Sequence, residues 1–141
     1  MTRSILSLIV TAHRHAEAEG SGDMDAILAT LEGEPVYDFY PVSRRFTGMD
    51  RTRRYYRHFI DTVMPLIAGF DLRDEWVGDA GVIQEYDVTL KAADGPATRH
   101  RILGILTFGE ERLSGERLYA DEAFFRILIG PIWDELEPIP A

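Results

Sequence analysis

Ile102-Leu103-Gly104-Ile105-Leu106-Thr107-Phe108 is apolar at almost every position, odd and even alike. With the residues that follow it, the stretch reads as one β-hairpin that turns at Gly109-Glu110-Glu111 and ends on the carboxylate of Asp121. The first arm is apolar on both faces, and such a strand must be covered on both faces. One face is therefore expected to look into a pocket or core under helices. The other is expected to meet a second copy of the chain, because a lone protomer would expose a contiguous apolar patch. The second arm alternates at period two and is expected to deliver Arg117, Tyr119 and Asp121 to one side.

Length sets the scale: 141 residues suit one domain, 1–141, with 131–141 as an irregular tail broken by Pro131, Pro138 and Pro140. No run approaches the roughly 20 apolar residues of a membrane span, so no insertion is expected. Met1 to Val10 carries one arginine and a short apolar run with no small-residue cleavage site after it, which argues against a signal peptide. The chain has no cysteine, which excludes disulfides, thiolate metal sites and cysteine nucleophiles and leans towards a cytoplasmic location. Fifteen basic against twenty-four acidic residues give a net charge of −9, disfavouring nucleic acid and anionic membrane as partners.

From Thr2 the positions Ile5, Leu8, Ile9, Ala12 and Ala16 trace one helical face, ended by Gly20-Ser21-Gly22. Asp23 then reads as the N-cap of a short helix burying Met24, Ile27, Leu28 and Leu31. Val36 to Tyr40 reads as extended, and Val42 to Gly48 as a loop. Asp50 is a candidate N-cap for a third helix burying Tyr56, Phe59, Ile60, Val63, Met64 and Ile67, which Pro65 kinks or ends. After Gly69 the period changes to two. Turn signals at Asp79-Ala80-Gly81, Asp94-Gly95-Pro96 and Gly109-Glu110-Glu111 divide an antiparallel meander of four strands, followed by a helical turn or two over 121–129. Helices first and a curled meander second make an α+β architecture.

This order of elements, with Asp74-Glu75-Trp76-Val77 opening the meander and Gly115-Glu116-Arg117-Leu118-Tyr119-Ala120-Asp121 closing it, resembles the SnoaL-like branch of the nuclear-transport-factor-2-like (NTF2-like) superfamily. Gly48 before the third helix and Gly130 after the last add to the likeness, which covers nearly the whole chain. The resemblance implies a cystatin-like cone, with helices packed in a strongly curved antiparallel sheet around a pocket. It also implies a homodimer through the sheet's outer face. Relatives with this cone include isomerases, polyketide cyclases, epoxide hydrolases, dehydratases and binding domains without catalysis, so fold alone does not select a reaction. In cyclases of this type an aspartate late in the sheet acts as acid and base, and Asp121 matches that position. Of the epoxide-hydrolase Asp-Arg-Asp arrangement, Arg117 and Asp121 are available, while no motif assigns the second carboxylate.

Each candidate has two readings. Asp121 can shuttle protons from a desolvated position, or cap the helix that starts beside it. His100 can form an acid/base couple with Asp121, or sit satisfied at the rim of the core. Tyr119 shares the phase of Asp121, as does Arg117, which can orient a substrate or form an ion pair with Glu85. Trp76, Tyr56 and Tyr40, with Tyr37 and Phe59, can line an apolar pocket or simply pack. His13 and His15 are two apart and diverge on a helix, so no metal site is read from them, and no cofactor is expected. Arg51, Arg53, Arg54 and Arg57 read as a solvated basic face. The leading reading is a cofactor-independent enzyme doing acid/base chemistry on a hydrophobic carbonyl compound: isomerisation, cyclisation, dehydration or hydrolysis. The alternative is a non-catalytic module that binds a lipophilic ligand or serves as an accessory subunit.

Overall fold

The computed structural model describes residues 3–141, so Thr2, where the sequence reading begins the first helix, lies outside them. Helix α1 runs over Ile5–Ser21, capped by Ser4, whose hydroxyl accepts from the Ser7 N–H, and ends at Gly22 in the left-handed conformation. It buries Leu8, Ala12, His15 and Ala18, one helical stripe that includes a histidine. Asp23 caps α2 (Met24–Ala29) as the sequence suggests. No described helix is long and apolar enough to cross a membrane.

Strand β1 (Leu31–Tyr40) turns back into β2 (Arg44–Thr47), so the segment expected to be a loop carries a strand. Its reason is aromatic: Phe46 is fully buried and stacks on Tyr37 with ring centroids 4.8 Å apart. Helix α3 (Met49–His58) starts one residue before Asp50. The Glu34 carboxylate, and not Asp50, accepts the Met49 N–H at 3.0 Å. After α3 the chain widens into a π-helical turn over Phe59–Val63, then tightens into a 3₁₀ turn at Met64–Leu66, where Pro65 ends helical structure.

The meander is present as β3 (Ile67–Val77), β4 (Gly81–Leu90), β5 (Thr98–Phe108) and β6 (Leu113–Tyr119), each antiparallel to the next. The sheet does not stop there. Strand β1 lies parallel to β6, and after α4 (Glu122–Ile129) and a 3₁₀ turn the chain adds β7 (Glu137–Pro138) to β2. The result is one seven-stranded mixed sheet in the order β3-β4-β5-β6-β1-β2-β7. The tail expected to be irregular is therefore largely ordered. Ile132 is buried, and the Arg126 guanidinium lies 4.4 Å from the Trp133 ring centroid.

Even-numbered residues of β4 and β5, from Val82 to Leu90 and from His100 to Phe108, face the helices, and odd-numbered ones face away. On β6 that phase is interrupted. Leu113 pairs with Phe108 while Gly115 pairs with Thr107, so one extra residue is inserted at Ser114. Leu113 is buried on one side of this bulge, and Glu116 and Leu118 on the other. Arg117 and Tyr119 consequently point outward, opposite to the orientation read from their alternation. Gly115, at φ 143°, is pressed so closely against Val36 of β1 that a Cβ would overlap the Val36 carbonyl. Gly115→Ala is expected to destabilise the protein by about 2–4 kcal/mol through strain and overpacking. Urea unfolding of the two proteins measures it.

Candidate functional site

Between the concave face of the sheet and the helices lies a cavity of about 410 Å³. Its walls are Ala16, Glu19 and Gly20 of α1, Phe59, Val63 and Met64 of the turns after α3, and Phe124 and Leu128 of α4. From the sheet come Phe70, Gln84, Tyr86, Val88, Gly104, Leu106, Glu116 and Leu118. Most of this surface is apolar, and no lysine or arginine contributes to it among the described residues. Gly104 makes room in the middle: a Cβ there would stand 3.1 Å from Glu116 Oε1 and 3.6 Å from the Tyr86 hydroxyl.

Glu116 is the more buried of the two carboxyl groups on the wall, with only 8% of the residue exposed. Its carboxyl has no hydrogen-bond or ion-pair partner among the described residues. Burial first, and the negative Glu19 second, push its pKa well above the usual carboxylate range. Glu19 is attached to a buried chain of polar groups. His15 Nε2 lies 2.9 Å from Glu19 Oε1 and 3.0 Å from the Tyr56 hydroxyl, which in turn lies 2.7 Å from that of Tyr37. The Thr30 hydroxyl donates to the Ile27 carbonyl at 2.6 Å, so at 2.7 Å it accepts from His15 Nδ1–H. That bond fixes the imidazole and turns Nε2 towards Glu19. Burial also raises the pKa of Tyr37, Tyr55, Tyr56 and Tyr86, so these phenols stay neutral.

Asp121 and His100 do come together, with Nδ1 2.6 Å from Oδ2. The other Asp121 oxygen accepts the Phe124 N–H at 2.7 Å and caps α4. His100 Nε2 meets the Thr98 hydroxyl at 2.9 Å, and its ring lies 5.3 Å from that of Phe124, a cavity-wall residue. Neither Asp121 nor His100 lines the cavity itself. Partial burial would raise the Asp121 pKa, but the His100 bond and the Phe124 N–H outweigh it and hold the carboxyl low. This is the cap reading, with the histidine as second partner.

The remaining candidates are displaced outward. Tyr119 is 38% exposed and stacks on Tyr40 at 5.1 Å, Trp76 is 45% exposed opposite Ile83, and Arg117 is opposite Ile105, all on the convex face. Glu85 is there too, and accepts from Arg101 at 2.7 Å; the ion pair expected with Arg117 is not formed. Beside it Asp87 accepts from Arg101, Arg99 and Arg73, which hold its carboxyl far below the usual range. Tyr56 is buried behind the cavity wall, beside His15. Of the basic face on α3, Arg54 forms a bidentate pair with Glu135, and His13 bonds Glu75 at 3.0 Å. Glu19, Tyr86 and Glu116 are the site residues that the sequence reading missed. His15 and Glu19 are four apart on one helix face, and Glu116 shares the phase of the aliphatic Leu118; both signals are in the chain.

No family model and no curated protein matches the sequence. Solved structures do match the fold. An NTF2-like protein of unknown function from Cytophaga hutchinsonii superposes with a TM-score of 0.67 at 13% identity, covering 81% of this chain and 99% of its own. An LEH-like epoxide hydrolase of M. tuberculosis gives 0.64 at 20% identity, over 88% and 90% of the two chains. A de novo designed protein with a curved β-sheet gives 0.66 at 14% identity, over 94% and 98%.

The raised pKa of Glu116 has a consequence for stability. A carboxyl whose pKa is higher folded than unfolded favours the fold fully below the unfolded value, and that contribution is lost as pH rises through the folded value. Glu116→Gln cannot ionise and escapes the loss. As pH rises above the ordinary carboxylate range the wild type is expected to lose stability relative to the variant, and below that range the difference is expected to be constant with pH. Chemical denaturation above and below that range reads the difference.

Proposed function

We propose that this chain, which has the NTF2-like fold, moves protons on a largely apolar small molecule bearing a carbonyl group, held in the cavity under its helices. The observation that carries this reading is the unpartnered carboxyl of Glu116, buried in an apolar wall and facing the cavity beside the Glu19–His15 pair. Glu116 and the Tyr86 hydroxyl both abut Gly104, and both are neutral donors suited to a carbonyl oxygen. The same pairing of a tyrosine with a neutral carboxylic acid stabilises an oxyanion in ketosteroid isomerase. Glu19, backed by His15, is placed to take and return the proton of an adjacent carbon. The apolar wall keeps water out and strengthens each of these interactions.

No guanidinium lines the cavity among the described residues, so an Asp-Arg-Asp arrangement for epoxide opening is not assembled there. In this reading Asp121 and His100 act at one remove, by fixing α4 and with it the wall at Phe124. Deuterium wash-in from D₂O by a panel of apolar ketones, followed by mass spectrometry, tests the assignment. Glu116→Gln is expected to lower the exchange rate by about 10²–10³-fold, the range for losing one oxyanion donor, while Asp121→Asn stays within about tenfold. The reverse ranking returns the role to Asp121. Ketones bound unchanged, with no exchange, favour a ligand-binding module.

The convex face supports a proposal for the assembly. Trp76, Ile83 and Ile105 form one stripe across three strands, and Leu103, Tyr119 and Tyr40 a second, partly exposed and bordered by the Arg–Asp87 cluster. A second copy docking there through the same surface covers both stripes. Sedimentation at micromolar concentration is expected to show a dimer for the wild type and a monomer for Leu103→Arg with Ile105→Arg. A monomeric wild type contradicts the proposal.

A further inference from the structure

A ring nitrogen of His15 and one carboxylate oxygen each of Glu19 and Glu116 lie within 4.8 Å of one another. His15 and Glu19 stand one turn apart on α1, at the spacing that lets two side chains chelate one ion. Three features go beyond proximity. First, Nδ1 of His15 is held by the Thr30 hydroxyl, whose own proton goes to the Ile27 carbonyl, so Nε2 is the ring nitrogen presented to Glu19 Oε1, at 2.9 Å. Two electron-rich atoms at that distance share a cation, which is a proton when no metal ion is bound, so the pair is already spaced to hold one. Second, Glu116 is more than nine-tenths buried, has no partner among the described residues, and faces the cavity next to the pair. Third, no lysine or arginine lines the cavity among those residues, so no fixed side-chain cation on its wall competes with an incoming ion for Glu19 and Glu116.

We infer that His15, Glu19 and Glu116 form a binding site for a divalent first-row cation of the zinc class, with a coordination position open to the cavity. One imidazole with two carboxylates suits Zn²⁺, and three protein ligands with a free position are usual where the metal must also meet a small molecule. Thr30 has the part of an outer partner that orients the ligating imidazole. The Tyr56 hydroxyl, 3.0 Å from Nε2, turns to the Tyr37 hydroxyl at 2.7 Å when the ion takes its place. Binding displaces protons from the ligands. It therefore blocks proton transfer at the same residues. That inhibition rests on the reaction proposed above, whereas the binding itself does not.

Chelator-stripped full-length protein, titrated with Zn²⁺ against a chromophoric chelator and separately with Co²⁺ by visible absorption, tests the site. The wild type is expected to bind one equivalent and to show the absorption bands of protein-bound Co²⁺. Glu116→Gln and the less buried Glu19→Gln should each bind at least about a hundredfold more weakly, and Thr30→Val about 10–100-fold more weakly. Glu85→Gln, on the convex face, should bind like the wild type. Circular dichroism confirms that each variant is folded. Equal Zn²⁺ affinity in wild type and Glu116→Gln, or Co²⁺ bands unchanged in that variant, overturns the metal site. Proton exchange lost in Glu116→Gln without Zn²⁺ binding by the wild type removes the metal and keeps the reaction, and binding without exchange does the reverse.

Discussion

The close approach of Gly115 to the Val36 backbone is the constraint on which the interior depends. Strand β6 is held between two neighbours with different demands, antiparallel β5 on one side and parallel β1 on the other. The two ladders are reconciled by a bulge, and the bulge needs a residue without a Cβ. The presence of Glu116 in the cavity follows from the change of phase that results. Without it, Glu116 would look outward among arginines, and Arg117 would be buried under the helices. A guanidinium in that position would need a carboxylate beside it to offset desolvation.

The carboxylates on the two faces of the sheet show what this phase decides. On the convex face Asp87 is scarcely exposed, yet three arginines converge on it and keep it ionised. On the concave face Glu116 is buried to a similar degree with no cation on the cavity wall, and its proton is retained. Similar burial thus has opposite effects on charge, according to which neighbours the strand register supplies. A neutral acid inside and a fixed anion outside are products of one alternating pattern, interrupted once.

Local signals in the sequence were accurate where the physics is local. Asp23 caps its helix, Pro65 ends one, and the glycine-bearing turns delimit the meander. The cap role of Asp121 and its pairing with His100 were both legible, because the helix starts one residue later and both groups flank the same hairpin. What escaped the reading depends on partners distant in the chain. β2 exists because Phe46 finds Tyr37, β7 because β2 is there to pair with it, and the phase of β6 because Val36 crowds Gly115. Glu19 was half visible, since its spacing from His15 is local, but the third member of that cluster comes from β6, the central strand, far along the chain.

Gly104 gives the cavity an unusual division of labour. The polar groups stand on α1, β4 and β6, whereas the depth available beside them is governed by a residue of β5 that has no side chain. Its backbone is paired on both sides and is not in a conformation reserved for glycine, so the constraint there is spatial alone. Shape and chemistry are therefore written at separate positions. A lineage of such chains can exchange one ligand for a smaller one by adding carbon at this position, with the Glu116 carboxyl giving way by only a few tenths of an ångström.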